Sequence, residues 1–164
     1  YGLSKYLHLS STHKFPRVVS VQNPYSLINR TYEVGLAEIS VREKVGLLAY
    51  SPLAFGMLTG KYLNGQMPEG SRLKLYSKNF PRYQGTRSQL AVEEYYKIAQ
   101  KYEMSLTQMS LAFVNMQPFV DSNIIGATNM KQLEENINSI HIDLSDEIVK
   151  DINAIHENNP SPAP

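Results

Sequence analysis

Residues 47–62 read LLAYSPLAFGMLTGKY. Their opening, with Gly46 in front, is apolar from Gly46 to Tyr50, the pattern of a parallel strand covered on both faces. An ordinary turn would follow such a strand with polar residues. Here the chain breaks at Ser51-Pro52, stays apolar through Leu53, Ala54 and Phe55, and only then reaches Gly56. Small and apolar residues at the end of a buried strand suit close approach by something flat and apolar.

On either side of this stretch, Val18 to Gln22 reads as a short buried strand closed by Asn23-Pro24-Tyr25-Ser26, and Asn123 to Gly126 as a third strand. Helical spacing occurs at Leu3, Tyr6 and Leu7, stopped before Pro16, and again at Tyr32, Leu36 and Ile39. Further helices are expected over Leu90–Tyr102, from a cap at Ser105 or Thr107 through Met116, and over Met130–Ile140 with Asn129 as cap. The last starts at Ser145-Asp146-Glu147, with Ile148, Ile152 and Ile155 on one side. Strands alternating with helices give α/β with a parallel sheet. Between them, Ser51 to Thr86 is rich in Gly, Pro, Lys, Arg and Tyr without clean periodicity, a length of loop that usually carries function. Residues 1–157 read as the folded unit and 158–164, with three prolines, as a fraying C-terminal tail.

Composition narrows the function classes. The 164 residues are 42% hydrophobic and 19% charged, enough for one modest core, and a net charge of +1 leaves no basic stripe for nucleic acid. Without cysteine there are no disulfides, thiolate metal sites or cysteine nucleophiles, which fits a cytoplasmic location. No apolar run reaches the roughly 18 residues of a membrane span. His8, His13, His141 and His156 lack metal-ligand spacing, and no G-x-S-x-G is present for a serine hydrolase. The chain begins Tyr1-Gly2-Leu3, already in helical periodicity, and reads as a piece of something longer.

Three motifs in order carry a resemblance: Val21-Gln22-Asn23-Pro24-Tyr25-Ser26, then Tyr50-Ser51-Pro52-Leu53-Ala54-Phe55-Gly56 through Lys61-Tyr62, then Ile125-Gly126-Ala127-Thr128 with Gln132-Leu133-Glu134-Glu135-Asn136. Together they resemble the aldo-keto reductases, above all bacterial NADP(H)-dependent members of the Tas type. The resemblance implies the C-terminal part of a (β/α)8 barrel, about strands six to eight with their helices. It also implies a missing N-terminal half, which would hold the family's catalytic Asp, Tyr, Lys and His, since nothing in this chain matches those four.

The resemblance likewise implies the site residues. NADP(H) would lie across the C-terminal ends of the strands, where barrel sites sit. Tyr50 would stack on the nicotinamide and Gln22 would bond its carboxamide. Ser51, Pro52, Leu53, Ala54 and Phe55 would present backbone to the pyrophosphate, and Lys61 and Arg72 would close over it as a strap. Gly126, Thr128, Gln132, Glu135 and Asn136 would hold the adenosine 2′-phosphate and the adenine. Tyr25 and Phe55 are candidates for one wall of a pocket taking a small carbonyl substrate. The implied activity is reduction of aldehydes or ketones by hydride transfer; the alternative is a non-catalytic binding or assembly module like the channel-associated relatives. No metal, nucleic-acid or membrane partner is expected. Taken without their context, Tyr50 reads more readily as strand-end core, Gln22 equally as an edge residue, and Lys61, Arg72, Glu135 and Asn136 as solvated surface.

Overall fold

The computed structural model describes residues 1–76, 78 and 80–164. Three parallel strands, β1 (Ser20–Pro24), β2 (Gly46–Tyr50) and β3 (Val120–Asn123), lie side by side in chain order. Helices α1 (Gly2–His13), α2 (Leu36–Glu43), α3 (Arg72–Tyr76), α4 (Thr86–Lys101), α5 (Leu106–Asn115), α6 (Met130–Asn138) and α7 (Asp146–Asn158) fill the intervals. In β1 and β2 the register runs from Ser20 opposite Gly46 to Pro24 opposite Tyr50. Between β2 and β3 it slips: Leu47 faces Val120, but Leu48 faces Ser122, so Asp121 is the extra residue of a bulge.

The bounds of β2 match those read from the sequence, while its neighbours differ. β1 starts at Ser20 rather than Val18, because β2 offers no partner before Gly46, and Val19 is 68% exposed. β3 covers Val120–Asn123 rather than Asn123–Gly126. The Ile124 N–H still donates to the Ala49 carbonyl at 2.8 Å, but Ser51 turns away with φ of 55°, and β2 offers nothing further for Ile125 and Gly126 to pair with.

Helix starts obey their caps. Ser105, not Thr107, caps α5 in a reciprocal box with Gln108; Asn129 and Ser145 accept from Gln132 and Ile148 at the starts of α6 and α7. The helix expected from Tyr32 is cut by Gly35 at φ of 91°, leaving a 3₁₀ turn at Thr31–Glu33 and then α2.

One face of the sheet carries the core. Leu47 and Ala49 are fully buried with Tyr25, Leu27, Ile28, Met109, Phe113 and Ile152, and the Tyr25 ring meets that of Phe119 edge-on at 5.3 Å. A polar knot closes this side. The Arg30 guanidinium donates Nε to Glu33 Oε1 at 2.6 Å, Nη2 to Glu33 Oε2 at 2.8 Å and Nη1 to Asn153 Oδ1 at 2.8 Å, and lies 5.0 Å over the Phe113 ring. The Tyr25 hydroxyl donates to the same Glu33 oxygen at 2.5 Å, and burial, then the Glu33 charge, pushes its pKa far up.

The segment 158–164, expected to fray, is docked instead. The Ala163 N–H donates to the Ile28 carbonyl at 3.0 Å, the Arg30 N–H donates to Ser161 Oγ at 3.1 Å, and Ser88 Oγ donates to the Pro162 carbonyl at 3.0 Å. Ala163 is fully buried. Contacts to residues far back in the chain outweigh the entropy of a proline-rich end.

Candidate functional site

The opposite face of the sheet is open. Paired residues of parallel strands point to the same side, so Gln22 and Leu48 share a face with Ser122, and Tyr50 comes two residues after Leu48. Gln22 is exposed and Tyr50 half-buried. The fold thus sets these two side chains on neighbouring strands, about 5 Å apart sideways and about 7 Å along the strand direction. A flat ring on Tyr50 and an amide in reach of Gln22 is an arrangement this face can serve. Tyr25 is not part of it: with no exposure and its hydroxyl bound to Glu33, it belongs to the core, which excludes it as a pocket wall.

Past Tyr50 the backbone coils tightly. Ser51, Ala54 and Phe55 have φ of 55°, 48° and 60°, followed by Gly56 at 96°. Left-handed backbone costs a residue with a Cβ about 1–2 kcal/mol. Burial of Pro52, Ala54, Met57 and Leu58 offsets that strain and fixes the turn. Ala54 donates its N–H to the Ser51 carbonyl at 2.8 Å and Gly56 donates to Leu53 at 2.8 Å, so those amides hold the turn itself. Among the described residues the Leu53 N–H has no acceptor.

Two cations stand over this turn. A Cβ on Gly56 would lie 3.0 Å from the Lys61 ammonium and 2.9 Å from its last carbon, so the missing side chain is what lets Lys61 run against the backbone. Arg72 sits with its guanidinium 5.6 Å over the Phe55 ring, and one of its nitrogens lies 3.7 Å from where a Cβ on Gly126 would be. Arg72 therefore spans the loops after β2 and β3. Among the described residues neither Lys61 nor Arg72 meets a carboxylate, unlike Arg30, Arg42, Lys74 and Lys101.

The third motif forms a tight local network. Thr128 donates both its N–H and its hydroxyl to Gln132 Oε1, at 3.0 and 2.9 Å, just ahead of α6. Asn136 is buried and donates to the Gly126 carbonyl at 3.3 Å, which fixes the loop rather than projecting outward. Glu135 accepts from the Ser105 hydroxyl at 2.6 Å, tying α6 to the start of α5. Thr128 and Gln132 are exposed at the N-terminal end of α6, where free N–H groups favour an anion.

The sequence alone missed Phe80 and Tyr83, which pack against Phe55, the first tilted at 4.1 Å and the second parallel at 6.0 Å. Their signal was only aromatic residues in an aperiodic stretch. That stretch is not a plain loop: it holds α3 and 3₁₀ turns at Ala54–Thr59, Leu63–Gly65 and Pro81–Tyr83, anchored by buried Met57, Tyr62, Leu73 and Tyr83. Among the described residues no cluster of acidic or histidine side chains gathers as a metal site, and no helix is long and apolar enough to cross a membrane.

The aldo/keto reductase family matches residues 2–157. The chain belongs to that family. It is 52% identical to Protein tas of Escherichia coli over all of its 164 residues, which cover 47% of that protein. It is 35% identical to an aldo-keto reductase of Babesia bovis, covering 95% of this chain and 57% of the other. A putative voltage-gated potassium channel subunit beta of Schizosaccharomyces pombe is 33% identical over 158 residues, covering 90% of this chain and 45% of that protein. The chain spans about half the length of the curated relatives it matches. Family membership implies a (β/α)8 barrel, and these three parallel strands with their helices are a part of one.

Proposed function

We propose that this chain is the cofactor-binding portion of an NADP(H)-dependent aldo-keto oxidoreductase that reduces a small aldehyde or ketone, its strands being the sixth to eighth of the barrel. The observation that carries the reading is the pair of cations without carboxylate partners, Lys61 and Arg72, over a strained apolar turn next to Tyr50 and Gln22. In that arrangement Tyr50 would carry the nicotinamide and Gln22 would bond its amide. The Leu53 amide, Lys61 and Arg72 would hold the pyrophosphate, and Thr128 and Gln132 at the start of α6 would hold the adenosine 2′-phosphate. The bound dinucleotide supplies the hydride. The Asp, Tyr, Lys and His that polarise and protonate the carbonyl come from the remainder of the protein, which covers the open face of the sheet.

NADPH and NADH titrations of the protein that carries this chain test the reading. NADPH is expected to bind, with a moderate preference over NADH because Gln132 is uncharged, and Gln132→Arg is expected to strengthen that preference by adding a charge-assisted contact. Absence of NADPH binding overturns the reading, and an unchanged ratio in Gln132→Arg moves the phosphate away from α6. A second reading is favoured by the channel-subunit relative: a cofactor-binding regulatory subunit using the same residues. Carbonyl-dependent NADPH oxidation by the whole protein separates the two.

A further inference from the structure

We propose that Phe55 is a positioning residue, whose ring holds the Arg72 guanidinium between the loops after β2 and β3; the proposal rests on the NADP(H) reading above. Arg72 is exposed and, among the described residues, meets no carboxylate that would fix its direction. What does flank it is the Phe55 ring on one loop and Gly126 on the other. A guanidinium over an aromatic face is attracted by the ring quadrupole, and an arginine already ordered there loses less freedom when an anion arrives.

The ring in turn is held from two directions. Its backbone sits at φ of 60°, a conformation that a bulky residue adopts only under constraint. Ala54 on one side is fully buried, and Met57 and Leu58 on the other side, past Gly56, anchor the turn. The ring packs on Phe80 at 4.1 Å and lies parallel to Tyr83, with 4° between the planes at 6.0 Å. Tyr83 is itself buried, and its hydroxyl accepts from Arg82 Nη2 at 3.0 Å. The 80–83 turn, the Phe55 ring and Arg72 thus form one chain of contacts, running from the core to a cation that faces the loops expected to meet phosphate. An aliphatic side chain at 55 fills similar space but offers no quadrupole to the guanidinium.

The test is stopped-flow release of NADPH from the whole protein, across a range of salt, for Phe55→Leu, Phe55→Tyr, Arg72→Ala and the double variant Phe55→Leu/Arg72→Ala. Phe55→Leu is expected to speed release about fivefold at low salt, the scale of a cation–π contact at an exposed site. That effect is expected to shrink as salt rises, to vanish in the Arg72→Ala background, and to be reversed by the ring-retaining Phe55→Tyr. Equal effects of Phe55→Leu with and without Arg72, or one insensitive to salt, overturn the proposal and leave Phe55 a packing residue. Should Phe55→Leu fail to fold, Phe55→Met replaces it in the same cycle. Wild-type protein that releases no NADPH because it binds none overturns the cofactor reading and this proposal together, whereas normal binding with additive substitutions overturns this proposal alone.

Discussion

Arg30 and Arg72 are the same residue type put to opposite uses. Arg30 has a bidentate carboxylate, an amide oxygen and an aromatic face, with its side chain 11% exposed; Arg72 has an aromatic face and open solvent. Their backbones differ in the same sense. Around Arg30 the chain is closed by the docked segment 158–164, while beneath Arg72 it is forced into left-handed turns at Ala54 and Phe55. A cation whose bonds are all supplied by its own protein holds the fold together. One held in place but left unneutralised is ready for an anion from outside.

Arg30→Ala is expected to do the most damage. It leaves the half-buried Glu33 without its charged partner and removes the bridge to Asn153 on α7, so a loss of roughly 3 kcal/mol is expected by chemical denaturation of the whole protein. Arg72→Ala measured alongside is expected to stay within about 0.5 kcal/mol of wild type. Equal losses for the two would erase the distinction.

Gly56→Ala comes next. With φ at 96° and the Lys61 side chain 2.9 Å from the new methyl, both the turn and the lysine must shift. A stability loss of about 1–2 kcal/mol together with weaker NADPH binding is expected. Full affinity would show that Lys61 works from another position.

Lys61→Ala probes the binding side. Removing one charge-assisted phosphate contact is expected to raise the NADPH release rate about tenfold, with hydride transfer slowed far less and thermal stability nearly unchanged. Stopped-flow release equal to wild type removes Lys61 from the site.

A still smaller change is expected on the Arg30 side. His156 is held below its ordinary pKa, first by burial and then by the nearby Arg30 charge. Its unfolded form, titrating at about 6.5, takes up a proton more readily than the folded one, so this residue contributes stability above that pH that is progressively lost as pH falls below it. His156→Gln is expected to flatten this part of the stability profile between pH 7 and 5, read from denaturation midpoints. A slope unchanged by the substitution assigns the acid sensitivity to other groups.

Much of this was legible from residues alone where the deciding interactions are local. The bounds of β2 come from an apolar run ended by Ser51-Pro52, and the caps at Ser105, Asn129 and Ser145 accept from N–H groups three residues away. The order of strands and helices, and the placing of Tyr50 at the end of β2, rest on the same short-range patterns, whereas Gln22, expected to close its strand, lies at the centre of β1. The remainder was settled in three dimensions, because the partners are far apart in sequence. β3 ends where β2 turns away at Ser51, Glu135 is bound by Ser105, and Arg30 meets Asn153. Residues 51–86 showed no period because their anchors fit an uneven surface rather than a helix face or a pleat. The docked tail, the Asp121 bulge and the stack of Phe55 on Phe80 and Tyr83 depend on contacts between separate segments, which no spacing within one segment encodes.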